Sequence, residues 1–112
     1  MIKVELTGIS GRKYIFDLHP IGTPFNEMQG LYIFSYYSEW NGLWHIAYIG
    51  QTGDFEDRLY KRLKQHEAFP CIKKEGATHI GLHPTLGLRE GVRIQLETDL
   101  RKYYCDCPCN EQ

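Results

Sequence analysis

The chain has 112 residues, of which 42% are hydrophobic and 24% are charged, and its formal net charge is −1 with histidine neutral. This balance is ordinary for one globular domain and excludes an intrinsically disordered chain. The longest apolar runs, such as residues 31–34, are far shorter than the roughly 18 residues that cross a membrane. The alternating N-terminus also lacks the apolar stretch of a signal peptide, so we expect a cytoplasmic protein.

The positive charges are concentrated in one segment, residues 58–74, which carries six basic residues and one acid: Arg58, Lys61, Arg62, Lys64, Lys73 and Lys74 against Glu67. A dedicated DNA-binding module usually has a basic excess over its whole length, and this chain has none. The segment leaves a nucleic-acid partner open, whereas the net charge argues against tight nonspecific binding by this domain alone.

Four cysteines occur, Cys71, Cys105, Cys107 and Cys109, and we expect all of them to be reduced thiols. No export signal is visible, and the last three lie too close together to pair with one another. A zinc site is disfavoured because alternating cysteines lack the short loop that separates a usual pair of ligands. The cysteines are expected to pack as small apolar groups.

The predicted elements begin with two strands within residues 3–18, joined by a glycine-containing turn. Apolar side chains alternate there with a period of two residues, at Val4 and Leu6 and then at Tyr14, Phe16 and Leu18. Residues 19–30 contain prolines and glycines and are predicted to form a loop.

Two aromatic-rich strands, residues 31–37 and 43–49, follow as a predicted hairpin around Asn41-Gly42. A two-residue loop would place Tyr32 and Tyr48 on opposite faces of the sheet. A three-residue loop, with Gly42 left-handed in a bulge, places Phe34 opposite Tyr48 and Tyr32 on the same face.

Two helices are predicted in the second half of the chain. The first begins at Thr52 or Asp54 and ends near Lys64, with a buried stripe of Phe55, Leu59 and Leu63 beside a polar stripe of Arg58, Arg62 and His66. Residues 68–91 are predicted to be irregular apart from a strand at 78–82. The second helix covers about 90–104, and its apolar stripe consists of Val92, Leu96, Leu100 and Tyr103.

Five short elements then occur in a characteristic order: Gly30-Leu31-Tyr32, Tyr48-Ile49-Gly50, Arg58, Glu97 and Asn110. Together they resemble the GIY-YIG nuclease family over nearly the whole chain. The resemblance implies an α/β (α+β) domain with a small antiparallel central sheet flanked by helices. It also implies an extra N-terminal β-hairpin, as in small stand-alone bacterial and phage members, with residues 1–29 as hairpin and loop and residues 30–112 as the catalytic core.

The family hydrolyses DNA phosphodiester bonds with one divalent cation, usually Mg²⁺ or Mn²⁺, so the resemblance implies DNA as partner and Glu97 as the metal ligand. The alternative for Glu97 is an ion pair with Arg93 or Arg101, four residues away on either side. Arg58 matches the family's arginine, whose planar guanidinium can bind two phosphoryl oxygens. Its alternative is an ion pair with Asp54.

Tyr32 and Tyr48 match the motif tyrosines, one of which would accept a proton. A phenol titrates near 10, so this role requires a nearby cation or a hydrogen-bonded relay. Both phenols can serve one site only if they share a face, so we predict the three-residue hairpin loop; otherwise they are packing residues. Asn110 is expected to hydrogen-bond backbone or a side chain of the active site, or else to stabilise a turn.

The chain departs from the family pattern at Arg62, where His or Tyr is common, and at Gln51, where Lys is common. His66 could act as the missing base, or could cap the end of the helix. Contacts with nucleic acid are expected from Gln51, Arg62, His66, Lys73 and Lys74. A homodimer or larger complex could supply specificity, and the rival hypothesis is a weak or inactive module that binds nucleic acid or protein without cleaving.

Overall fold

The computed structural model describes residues 2–110, and it shows an α+β fold built on one five-stranded antiparallel sheet. The strands are β1 (Ile2–Thr7), β2 (Lys13–Pro20), β3 (Gly30–Ser38), β4 (Leu43–Thr52) and β5 (His79–Pro84). Their order across the sheet is β1-β2-β5-β3-β4. The predicted N-terminal hairpin is confirmed, and its second strand pairs with β5, so the hairpin continues the same sheet.

The β3–β4 hairpin has the predicted register at its motif end, where Phe34 lies opposite Tyr48. The predicted loop is wrong, because the strands close at Ser38 and Leu43 and leave a four-residue loop. Gly42 is left-handed as predicted, with a φ of 69°, but the bulge lies at Ala47. One extra residue in β4 therefore compensates for the longer loop and keeps both motif tyrosines on one face.

The predicted first helix is shorter and less regular than expected. It contains a π-helical turn (Asp57–Lys61) and a 3₁₀ turn (Leu63–Gln65), and its predicted apolar stripe is buried. A short helix that the sequence analysis missed, α1 (Phe69–Lys74), follows in the segment predicted to be irregular. Pro70 lies in its first turn, where the missing N–H of proline leaves no hydrogen bond unmade.

The last helix, α2 (Glu90–Tyr103), matches its predicted bounds closely but not its predicted buried stripe. Val92 and Tyr103 are 37% and 52% exposed, whereas Arg93 is buried with Leu96 and Leu100. Burial of Arg93 is tolerated because its guanidinium donates hydrogen bonds to side-chain and backbone oxygens inside the protein. Within residues 2–110, none of the helices is long and apolar enough to cross a membrane.

Separate hydrophobic clusters hold the motif tyrosines and α2. Tyr32 and Tyr48 pack with Leu59 and its neighbours from the segment after β4, whereas Leu96 and Leu100 of α2 pack with the alternate residues of β3 and β4. Since side chains alternate across a strand, α2 covers the face opposite to the tyrosines. Residues of α2 can therefore approach the tyrosines only around β4, which is the edge strand.

The expectation of four reduced thiols is wrong for Cys71 and Cys109, which form a disulfide with a Cα–Cα distance of 5.6 Å. The bond joins α1 to the C-terminal tail, and spacing along the chain could not reveal it because α1 itself was not predicted. Cys105 and Cys107 are free, and burial raises the pKa of the Cys107 thiol to about 12. Cys107 thus behaves as a small apolar group.

Candidate active site

The motif tyrosines lie side by side on β3 and β4, with stacked rings whose centroids are 5.9 Å apart. Gly50 passes directly against both rings. A Cβ atom at this position would lie 2.6 Å from Tyr32 Cζ and 2.7 Å from Tyr48 Cε1, closer than carbon atoms can approach. The glycine of Tyr48-Ile49-Gly50 is thus required by the packing of the two tyrosines.

His66 is buried beneath the tyrosines, and its side chain has no exposed surface. Its Nδ1 accepts a hydrogen bond from the Ala68 N–H at 3.0 Å, and its Nε2 is 2.7 Å from the Tyr32 hydroxyl. The ring proton of the neutral imidazole therefore lies on Nε2, which donates to the Tyr32 oxygen. The prediction that His66 contacts nucleic acid is wrong for this conformation, because tertiary packing covers the whole ring.

The Tyr32 phenol is hard to deprotonate because it is buried. Tyr32 is fully buried, and burial together with the nearby Tyr48 raises its pKa, although Arg58 acts in the opposite direction. Arg58 and Tyr48 also lie close to the Tyr32 hydroxyl, and His66 Nε2 is its hydrogen-bond partner. Its oxygen accepts the hydrogen bond from His66 Nε2. Tyr32 is thus held in its protonated form.

Arg58 lies beside Tyr32 with a partly exposed side chain. Its Nη2 is 2.8 Å from each carboxylate oxygen of Glu67, so its acidic partner is Glu67 and not Asp54, which we had considered. Asp54 instead accepts the Asp57 N–H at the start of the helical segment. An exposed ion pair of this kind contributes little stability, so a phosphate group could replace the carboxylate.

Glu97 reaches the outer edge of β4 from α2, and 16% of its side chain is exposed. Its Oε2 is 3.3 Å from Arg101 Nη2, and the backbone N–H of Gln51 lies near its carboxylate. The ion pair considered for Glu97 thus forms with Arg101 and not with Arg93. Burial raises the pKa of Glu97, while Arg101 and the Gln51 N–H act to lower it.

Arg101 is a member of the site that the sequence analysis missed. Its Nε and Nη2 donate to the Ile49 carbonyl at 2.9 and 2.7 Å, and its Cζ lies 5.4 Å from the centroid of the Tyr48 ring. Arg101 therefore connects Glu97, which approaches from one face, to Tyr48 on the other. The only signal in the sequence was its position four residues after Glu97.

Asn110 binds the same edge of β4 through its side-chain amide. Its Oδ1 accepts the Ile49 N–H at 2.8 Å, and its Nδ2 donates to the Ile49 carbonyl at 2.8 Å. The Cys109 N–H donates to the Ala47 carbonyl nearby, so the tail covers backbone groups that an edge strand would otherwise expose. This is the backbone contact predicted for Asn110.

The other residues predicted to contact nucleic acid have different surroundings. Gln51 accepts a hydrogen bond from the buried Arg93 at 3.0 Å, which gives its side chain a structural role. Arg62 is exposed and pairs with Asp57 at 2.5 Å. Two exposed lysines, Lys73 and Lys74, lie in the last turn of α1. Contact of these exposed cations with nucleic acid stays a prediction.

The donor set limits which metal the site could hold. Among residues 2–110, no three His, Cys, Asp or Glu side chains form a group suited to a metal ion. Glu97 is the candidate carboxylate ligand at this edge of β4. Mg²⁺ fits such a site because it keeps several waters and is commonly held by one or two carboxylates together with substrate phosphates.

No protein-family model, curated protein or solved structure matches this chain significantly. The resemblance to GIY-YIG nucleases therefore depends on the five sequence elements alone.

Proposed function

We propose that this protein is a metal-dependent DNA endonuclease of the GIY-YIG type. The supporting observation is a continuous series of side-chain contacts that runs from Arg58 through Tyr32, Tyr48 and Arg101 to Glu97. These residues come from four separate segments of the chain, and packing alone would not need two guanidinium groups, two phenols and a carboxylate in one place.

Arg58 binds the phosphoryl group in this proposal. Its guanidinium keeps its charge at all relevant pH values and presents parallel donors that match two phosphoryl oxygens. Glu67 occupies this donor group in the free protein, and the substrate phosphate replaces it.

Tyr48 accepts the proton of the attacking water in its phenolate form, after its own hydroxyl proton has passed to solvent. Tyr32, whose ring is stacked against Tyr48 with the centroids 5.9 Å apart, would donate a hydrogen bond that stabilises the phenolate until the phenolate takes up this proton. His66 supports the arrangement by holding the Tyr32 oxygen from below. The pair of phenols would thus act as one unit, with Tyr48 as the base and Tyr32 as its orienting donor.

Glu97 would hold the divalent cation, which when bound supplies positive charge for the phosphoryl and leaving oxygens. Asn110 fixes Ile49, the residue between the second motif tyrosine and its glycine, and so keeps Tyr48 in place.

The proposal is tested by incubating the purified chain with supercoiled plasmid and with branched DNA, in Mg²⁺ or Mn²⁺. Glu97→Gln and Arg58→Ala should each reduce nicking by a factor of about 100 or more. Glu90→Gln, which removes an exposed carboxylate from the first turn of the same helix, should retain wild-type activity. Equal trace cleavage by all four proteins would indicate a contaminant and contradict the proposal.

A binding module without cleavage is the second candidate, and one observation favours it. The arginine of the motif and the two positions that depart from the family pattern are all paired internally: Arg58 with Glu67, Arg62 with Asp57, and Gln51 with Arg93. Retention of DNA in a gel-shift assay with Mn²⁺, without any nicking, would support this candidate. A homodimer or larger complex would then supply the remaining contacts with DNA.

A further inference from the structure

We propose that Arg101 is a second phosphate-binding residue. It forms an ion pair with Glu97 until a divalent cation binds Glu97 in its place. This inference rests on the proposed nuclease function. It concerns a residue that none of the five sequence elements contains.

The contacts of Arg101 show that the backbone, and not Glu97, is its main anchor. Two donors bind the Ile49 carbonyl at 2.7 and 2.9 Å, whereas the ion pair with Glu97 is longer, at 3.3 Å. Loss of the ion pair would therefore leave the guanidinium attached to the edge of β4, with its plane still beside the Tyr48 ring.

Arg101 also has hydrogen-bond donors that are not used by the anchor. A guanidinium carries five N–H groups, and the two hydrogen bonds to the Ile49 carbonyl come only from Nε and Nη2. In the described part of the chain Nη1 donates to no partner, and 36% of the side chain is exposed. A phosphoryl oxygen arriving next to Tyr48 could accept these bonds without disturbing the anchor.

Electrostatics makes Arg101 and a divalent cation competitors for one carboxylate. Glu97 is largely buried, and its charge is compensated in the free protein by Arg101. A divalent ion carries twice that charge, and two cations beside the same carboxylate repel each other. Cation binding would thus release Arg101 from Glu97 at the moment when substrate phosphate needs a donor.

A purely structural role for Arg101 predicts the opposite change in metal affinity. If Arg101 only held Glu97 in position, its removal would loosen the carboxylate and weaken cation binding. If Arg101 competes with the cation, its removal tightens binding. The sign of the change therefore separates the two roles.

The test measures Mn²⁺ binding to the full chain without DNA, by the relaxation rate of water protons. Arg101→Gln should bind Mn²⁺ about three- to tenfold more tightly than wild type, because a partly buried charge next to the ligand has been removed. Lys102→Gln removes the same charge from the exposed neighbouring position and should change the affinity less than twofold. Glu97→Gln should abolish binding.

Cleavage at saturating Mn²⁺ supplies the second measurement. Arg101→Gln should lower kcat by a factor of about 10 to 100 and raise KM for DNA, whereas Arg101→Lys, which keeps the charge, should recover part of both. Thermal unfolding of each variant checks the fold, and Arg101→Lys decides the question if Arg101→Gln does not fold.

Unchanged or weaker Mn²⁺ binding by Arg101→Gln would overturn the inference. If wild type still cleaves DNA in that case, the nuclease proposal survives and only the role of Arg101 is lost. If wild-type protein neither binds Mn²⁺ nor cleaves DNA, both proposals are wrong.

Discussion

Mild acid should destabilise this protein, because His66 is buried in its neutral form. Nδ1 accepts the Ala68 N–H, so a proton added there would break that hydrogen bond. Burial, and secondly the positive charge of Arg58, lower the pKa of His66 to about 4, although Glu67 at 4.0 Å acts in the opposite direction. The unfolded chain should titrate near the ordinary value of about 6.5.

The pKa difference sets the size and the pH range of the effect. Between pH 6.5 and 4 the unfolded state binds a proton that the folded state does not, so stability falls as the pH falls through this range. The pKa difference can change the free energy of unfolding by at most about 3 kcal/mol. About 2 kcal/mol of stability should be lost between pH 7 and pH 5. That is a large part of the roughly 5–15 kcal/mol that stabilises a small domain.

Urea unfolding at pH 7 and pH 5 measures the loss directly. Wild type should lose about 2 kcal/mol of its free energy of unfolding between these values. His66→Gln has no titrating ring, so it should start less stable at pH 7 and then lose much less on acidification. The control His45→Gln, in the partly exposed end of the hairpin, should behave like wild type. An equal loss in His66→Gln and wild type would refute this account of the buried ring.

Four further changes test other contacts of the site. Gly50→Ala places a methyl group against both tyrosine rings and should cost about 1–3 kcal/mol, measured by urea unfolding and near-UV circular dichroism. Asn110→Ala removes two hydrogen bonds from the edge of β4 and should cost about 1–3 kcal/mol, with faster exchange of the Ile49 amide proton. Cys71→Ser should lower stability by up to about 4 kcal/mol, and wild type in dithiothreitol should fall to the same level while the variant does not change. Tyr48→Phe should reduce DNA cleavage by a factor of about 10² to 10⁴ without loss of the fold.

The strands were predictable because they depend on neighbouring residues, whereas the register at the motif was chosen through the family resemblance. Period-two alternation identified both hairpins, and the requirement that two phenols share a face selected the pairing of Phe34 with Tyr48. The loop length was not predictable, because a four-residue loop with a bulge at Ala47 and a three-residue loop give the same register at the motif. Helix α1 was missed because six residues that include a proline carry little periodic signal.

The membership of the candidate site was only partly visible in the sequence. Spacing and resemblance identified Arg58, Glu97 and Asn110, and also suggested an ion pair for Glu97. They could not choose between Arg93 and Arg101, because both lie four residues away and only the rotation of α2 against the sheet decides which one pairs with Glu97.

The sequence by itself determined the order of the strands along the chain and the turn glycines, since short-range sterics and alternation act between residues that are close in the chain. The common face of the tyrosines was selected only through the family resemblance. Tertiary structure alone decided that His66 is buried, that Arg101 bridges Glu97 and Tyr48, and that Cys71 bonds to Cys109. These contacts join segments far apart in the chain, and their free energy depends on how the helices and the tail pack around the edge of β4.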